Sequence, residues 1–142
     1  MRRLTVIVPL ICSVAAALVA GFLPPAQAAV KERAVCVNAA IQERPAIDGY
    51  RIVWQDKRSG NYDIYMKDLL TGLETPICTA LGDQMYPDIS GDIIVWQDHR
   101  SGHWDIYTYD LRSATLSVVL SGPDVIHPAI WGGIVVCELH DQ

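Results

Sequence analysis

Arg51–Tyr65 reads RIVWQDKRSGNYDIY, and Ile93–Tyr107 reads IIVWQDHRSGHWDIY. The stretches lie 42 positions apart, and widening them to Arg51–Leu70 and Ile93–Arg112 gives 13 identities in 20 positions. Self-similarity at such a period marks a repeated supersecondary unit, which cannot bury its apolar surface alone and stacks on its siblings. The echo continues outward. Pro45-Ala46-Ile47 answers to Pro87-Asp88-Ile89 and then, at a spacing of 41, to Pro128-Ala129-Ile130. Glu32–Pro45 aligns with Glu74–Pro87, which sets Cys36 over Cys78, and Thr115–Pro128 is the third copy, with Val119 at the cysteine position.

Each unit reads as four short strands. In the first copy these are Pro45–Ile47, Tyr50–Gln55, Asp63–Lys67 and Glu74–Thr79. Asp48-Gly49, repeated as Ser90-Gly91 and Trp131-Gly132, suits a two-residue hairpin turn that needs positive φ. The turn Asp56–Tyr62 offers Gly60 for the same purpose. Ile52 and Trp54 point to one side of the second strand and Val53 to the other, so both faces are apolar. A sheet with one wet face would alternate more cleanly. Sheets of four antiparallel strands, greasy on both sides and stacked face to face, are β-propeller blades. Beyond residue 30 no segment has helical periodicity, so the chain is expected to be all-β. Arg58 and Arg100 precede Asp63 and Asp105 by five residues, which predicts a turn-bridging ion pair in both copies.

The chain opens with Arg2 and Arg3, an apolar run over Leu4–Leu23, Pro24-Pro25 and the small-residue site Ala26-Gln27-Ala28. This is the pattern of a secretory signal peptide over residues 1–28. The competing reading is a permanent anchor, since about 20 apolar residues just span a bilayer. Cys12 lies inside the run, after Pro9-Leu10-Ile11, a poor approach to a lipid-modified cysteine. Residues 29–142 hold 9 basic against 16 acidic side chains. That balance argues against nucleic acid and anionic membrane surfaces as partners. No second apolar run is long enough to cross a bilayer, so no stable membrane insertion is expected once the leader is removed. The expected location is secreted, periplasmic or at the cell surface.

The pattern P-x-I-x-G-x-x-I-V-W-x-D-x-R-x-G-x-x-D-I-Y-x-x-D-L, read from Pro45 to Leu69, resembles the repeat of TolB-like β-propellers and related bacterial and archaeal cell-surface proteins. The resemblance runs from Glu32 to the end of the chain. It implies a propeller fold. It leaves function open, because such repeats stand in periplasmic TolB, in surface proteins, beside peptidase domains and in polysaccharide lyases. TolB itself has an α/β domain before its propeller. Residues 29–142 leave no room for one, so the Tol–Pal role is not carried over.

The expected architecture is incomplete. It comprises an orphan outer strand (32–37), full blades over 45–79 and 87–120, and a partial blade over 128–142, where Cys137 replaces the tryptophan and Glu138-Leu139 replaces Gln-Asp. Propellers close with about four to eight blades. The chain is then a fragment of a longer propeller, a unit that self-associates to close the ring, or a short open stack. Cys36 and Cys78 fall on the rims of successive blades. There they should lie beyond the ~7 Å Cα separation a disulfide tolerates and act as buried apolar fillers.

No residue type in the repeat demands chemistry. His99 and His103 are four apart but lie in a turn, where the other copy has Lys57 and Asn61; His127 and His140 have no partner pattern. Asp56, Asp63 and Asp68 do not follow a calcium loop, and an arginine stands among them. Ser59 and Ser101 recur in the turn without a G-x-S-x-G elbow. No catalytic, metal or cofactor-binding residue is assigned, and the ligand-binding residues are left open. The reading is an exported, non-catalytic module that binds a protein or glycan. The alternative is the propeller part of a secreted peptidase or polysaccharide lyase whose catalytic region lies elsewhere.

Overall fold

A computed structural model describes residues 34–122 and 125–139. The leader assigned to residues 1–28, the first two positions of the strand expected at 32–37, and His140 lie outside these. The described residues hold no helix and ten strands: β1 Gln42–Asp48, β2 Arg51–Asp56, β3 Asp63–Asp68, β4 Glu74–Cys78, β5 Gln84–Ser90, β6 Ile93–Asp98, β7 Asp105–Asp110, β8 Thr115–Ser121, β9 Val125–Trp131 and β10 Ile134–Leu139. They form two four-stranded sheets, in the orders β1-β2-β3-β4 and β5-β6-β7-β8, and a two-stranded hairpin of β9 and β10. All pairings are antiparallel. These are the first blade, the second blade and a terminal hairpin. Ala34–Val37 is not a strand, so the orphan outer strand is corrected to an irregular segment: among the described residues no third strand lies beside it to pair with.

The hairpin turns sit one residue later than expected. Asp48 pairs with Arg51, so Gly49 and Tyr50 make the first turn. Gly49, Gly91 and Gly132 have φ of 55°, 57° and 56°, the left-handed region that a side chain resists. The first strands carry an irregularity before each proline, between Glu43 and Ala46 and between Met85 and Asp88. Arg44, Tyr86 and His127 occupy this position with φ of 54°, 55° and 52°. A bulge of this kind swings one backbone N–H out of its own ladder, and the proline that follows has none to give.

Stacking follows the two-faced strands. Val53 and Ile64 of the first blade pack with Ile89, Ile94 and Trp96 of the second. Val95 and Ile106 of the second pack with Val125 and Ile130 of the hairpin. The strands β1, β5 and β9 lie side by side along the narrow edge of the fan. The two outer faces of the stack are partly bare, although Ile52 and Trp54 on the backward face are buried. At the position that faces backward, Ile47 is 62% exposed, whereas Ile89 and Ile130 are 4% and 8% exposed. At the position that faces forward, Val53 and Val95 are wholly buried and Val136 is 60% exposed. Each of these six residues is buried where a neighbouring sheet covers the side it faces and bare where none does.

Candidate interaction surface

The repeated polar residues are consumed inside the blades. Asp56, at the end of β2, accepts from Trp54 Nε1 at 3.1 Å, from the Arg58 amide at 2.9 Å and from Arg58 Nη2 at 2.5 Å. Asp98 does the same for Trp96 Nε1 at 2.9 Å, the Arg100 amide at 3.0 Å and Arg100 Nη2 at 2.5 Å. Each guanidinium also lies over a tyrosine ring, Arg58 on Tyr65 at 4.0 Å and Arg100 on Tyr107 at 4.3 Å. Burial alone would raise the Asp56 carboxyl, but bonds from Arg58 and Trp54 outweigh it and hold it below its ordinary value.

The ion pairs expected between Arg58 and Asp63 and between Arg100 and Asp105 are therefore corrected. The arginines fold back on the aspartates two residues before them. Asp63 instead accepts from Ser59 Oγ and from Asn61 Nδ2, and Asp105 from Ser101 Oγ at 2.7 Å, with His103 Nδ1 at 3.1 Å. Ser59 and Ser101 thus serve turns. The carboxyls of the two turn aspartates are shifted in opposite directions. Burial pushes Asp63 up, and the charges of Asp56 and Asp83 add to it. Burial also opposes Asp105, but Ser121, Ser101 and His103 hold it below its ordinary value. Asp68 caps its own turn through the amides of Leu70 and Thr71.

The remaining residues weighed in the sequence do not converge. His103 is exposed, while His99 is half-buried with its ring 4.8 Å from that of Trp104. His127 lies on β9, far along the chain from both. Among the described residues no group of three or more His, Cys, Asp or Glu is placed to hold a metal ion. Cys36, Cys78 and Cys137 are all free thiols; Cys78 is buried, and Cys36 and Cys137 are half-buried, so Cys36 is less of a core filler than expected. Burial pushes the Cys78 thiol up, away from the reactive thiolate.

One surface was not visible in the sequence. The bulge residues Arg44, Tyr86 and His127 form a row along the narrow edge. The Arg44 guanidinium lies 4.6 Å from the centre of the Tyr86 ring, and that ring lies 4.3 Å from the His127 imidazole. Each step of the row is pinned from behind by a glutamine of the preceding blade. Gln55 Oε1 accepts from the Tyr86 amide at 2.9 Å and Gln97 Oε1 from the His127 amide at 2.8 Å. Gln42 stands opposite Asp56 in the register, so the row lies at the end of the blades that carries the β2–β3 turns. The repeated glutamine was the available signal. The row itself was hidden because its three residues differ.

The glutamine pin is testable. Gln97→Ala leaves the His127 amide without its acceptor and is expected to cost about 1 kcal/mol. Gln97→Glu keeps an acceptor oxygen but puts a carboxylate where the residue is 3% exposed, so it should cost more than the alanine at neutral pH and less once acid protonates it. Urea denaturation midpoints of the two variants at neutral and acid pH check this, and equal losses at both would contradict the role of the acceptor oxygen.

An incomplete β-propeller of the TolB-like type is the architecture these sheets define. No family model matches the sequence, and no curated protein matches it. Solved structures do. TolB from Acinetobacter baumannii superposes with a TM-score of 0.60 at 18% identity, over 70% of this chain and 26% of that one. A TolB from Agrobacterium tumefaciens gives 0.58 at 22% identity, over 68% and 36%. The β-propeller domain of the Trilobed protease from Pyrococcus furiosus, described as having an open velcro topology, gives 0.53 at 17% identity, over 64% and 31%. The chain therefore spans about a third or less of the length of these structures.

Proposed function

We propose that this chain is an exported, non-catalytic propeller module that binds a protein or glycan at the cell envelope. The observation that carries the reading is the Arg44–Tyr86–His127 row. Two blades and the terminal hairpin place a bulge residue of positive φ at the same position, two of the three pinned by a glutamine, yet they present three different side chains there. Everything else that repeats is spent on Asp–Arg–Trp and Ser–Asp bonds within the blades. Arginine and tyrosine are the residues on which binding energy concentrates at interfaces. The leader-like residues 1–28 and the acidic balance of the remainder support export and a partner other than nucleic acid.

Binding of the purified protein to immobilised cell-wall glycans and to soluble envelope proteins tests this. A ligand is expected whose affinity falls about tenfold, or ~1.4 kcal/mol, in Tyr86→Ala, with the thermal midpoint of the variant measured alongside. Ligands that ignore Tyr86, or turnover of a peptide or polysaccharide by this chain, would overturn the reading. The alternative, a propeller serving a peptidase or lyase, draws on the protease propeller among the similar structures. A hydrolase or lyase signature encoded in frame with these blades would decide for it.

A further inference from the structure

A second set of rings lies at the same end of the blades as the Arg44–Tyr86–His127 row. We propose that Tyr62 and Trp104, together with that row, form a platform for a linear oligosaccharide laid across the blades. This deepens the reading above and rests on it, since it names the ligand class of the same surface.

Tyr62 and Trp104 are one position of the repeat, the last residue of the β2–β3 and β6–β7 turns. Both are half-buried, so part of each stays open to solvent. Each is steadied by the residue five places before it. Lys57 Nζ lies 5.0 Å from the centre of the Tyr62 ring, and the His99 ring lies 4.8 Å from that of Trp104. The Tyr62 backbone is fixed as well. Its amide donates to Asp83 Oδ1 at 2.9 Å, and its carbonyl accepts from the Gln84 amide at 2.7 Å. A ring held in this way gives contact area at little cost in conformational entropy.

The support changes between the copies and the ring does not. Tyr62 Oη donates to Glu43 Oε2 at 3.3 Å. Trp104 has no hydroxyl, and the residue in the place of Glu43 is Met85, which stands opposite Gln97 as Glu43 stands opposite Gln55. The bonds of the first turn run through Ser59, Asn61 and Asp63 and leave the ring out. The two rows are also tied together. Glu43 Oε2 accepts from Gln55 Nε2 at 3.4 Å, and Gln55 Oε1 accepts from the Tyr86 amide at 2.9 Å. One hydrogen-bonded path therefore runs from the Tyr62 hydroxyl to the Tyr86 backbone.

The rows offer different things. The Tyr86 ring is flanked by Arg44 at 4.6 Å and His127 at 4.3 Å, so the inner row presents a polar rim of guanidinium, phenol hydroxyl and imidazole. The outer row presents ring surface. A sugar has the matching halves. Its apolar C–H face meets the negative face of an aromatic ring, and its hydroxyls need a few fixed polar groups. Period decides for a glycan over a folded protein. Stacked sheets lie about 10 Å apart, so the two outer rings recur at about that step, and a polymer of like rings meets both in the same way. A single sugar is too short to reach both. Joining the two contacts in one ligand raises affinity without a new kind of contact.

The test is calorimetric titration of the purified full chain with chitin-type, cellulose-type and uronate oligosaccharides of increasing length. Binding to one of these classes is expected, absent for the monosaccharide and rising with length until both rings are spanned. Trp104→Ala should weaken the longest ligand about tenfold and remove the dependence on length. Trp104→Phe, which keeps a ring, should retain most of both, and thermal midpoints are measured alongside. Fluorescence gives a second readout. Trp54 and Trp96 are buried, and Trp131 ends β9 at the other end of the blades. A change in emission on binding should therefore persist in Trp131→Phe and vanish in Trp104→Phe. Oligosaccharides that bind without regard to length, or whose affinity falls in Tyr86→Ala and not in Trp104→Ala, would overturn this inference and leave the reading of the Arg44–Tyr86–His127 row standing. A protein ligand that needs Tyr86, with no oligosaccharide bound, would do the same. Ligands that ignore Tyr86 as well would overturn both.

Discussion

Asp98→Ala is expected to cost about 3 kcal/mol, a large part of the ~5–15 kcal/mol by which a domain is stable. The carboxylate is fully buried and receives the indole of Trp96, the backbone amide of Arg100 and two guanidinium nitrogens, Nε at 2.9 Å and Nη2 at 2.5 Å. Alanine strands all of these donors at once. A buried donor that loses its acceptor costs about 1–3 kcal/mol. The sum is held down because the Arg100 side chain is a quarter exposed, and water recovers part of its solvation. Asp98→Asn keeps the shape and one acceptor oxygen and should lose about half as much. In a double-mutant cycle with Arg100→Ala, urea denaturation should show a coupling of about 1–3 kcal/mol. Additive losses would show that the pair is not one unit. The equivalent Asp56 adds a pH signature. Its folded pKa lies below the ordinary 3.8, so the stability it contributes is complete above that value and is lost as pH falls through the folded one. Asp56→Asn should flatten the acid limb of the stability profile below 3.8 and leave its shape at neutral pH unchanged.

The strands, the blades and the open ends were legible because they depend on side-chain period and on repetition. Val53 and Trp54 are adjacent, point to opposite faces and are both buried, and that fact is written in the run of apolar letters. The partners of Arg58 were not legible. Spacing places Asp56 and Asp63 equally well, because the two aspartates face each other across the hairpin. What decides between them is that Ser59 and Asn61 already fill Asp63, while Asp56 is bonded to the indole of Trp54. The row of Arg44, Tyr86 and His127 was hidden for a different reason. A residue before proline is biased toward extended backbone, so positive φ is the opposite of what the letters suggest. All three residues share this φ, and at Tyr86 and His127 a glutamine holds the backbone amide; neither feature restricts the side chain that projects. A position held in this way varies freely between copies and reads as an unremarkable mismatch.

Trp96→Ala is expected to be the most damaging single change, at about 3–5 kcal/mol. The indole is fully buried between the blades, among Val53, Ile64, Cys78, Ile89 and Ile94. Its ring lies parallel to that of Tyr107 at 6.2 Å, and its Nε1 donates to Asp98. Removing it opens a cavity bounded by strands of two sheets, and those strands are held apart by their other contacts, so the space cannot collapse fully. The Asp98 oxygen also loses a donor. Trp96→Phe separates the two effects, since it keeps most of the volume and gives up the N–H, and should cost about 1–2 kcal/mol. The same position in the third copy supplies the control. Cys137 is half-buried on the hairpin and packs only at the margin of its cluster. Cys137→Ala should therefore change stability by less than about 1 kcal/mol. The contrast depends on burial between complete sheets rather than on the place of the residue in the repeat. Chemical denaturation of the two alanine variants measures it directly. If Trp96→Ala and Cys137→Ala proved equally mild, the stacking of sheet on sheet would not be what holds the chain together.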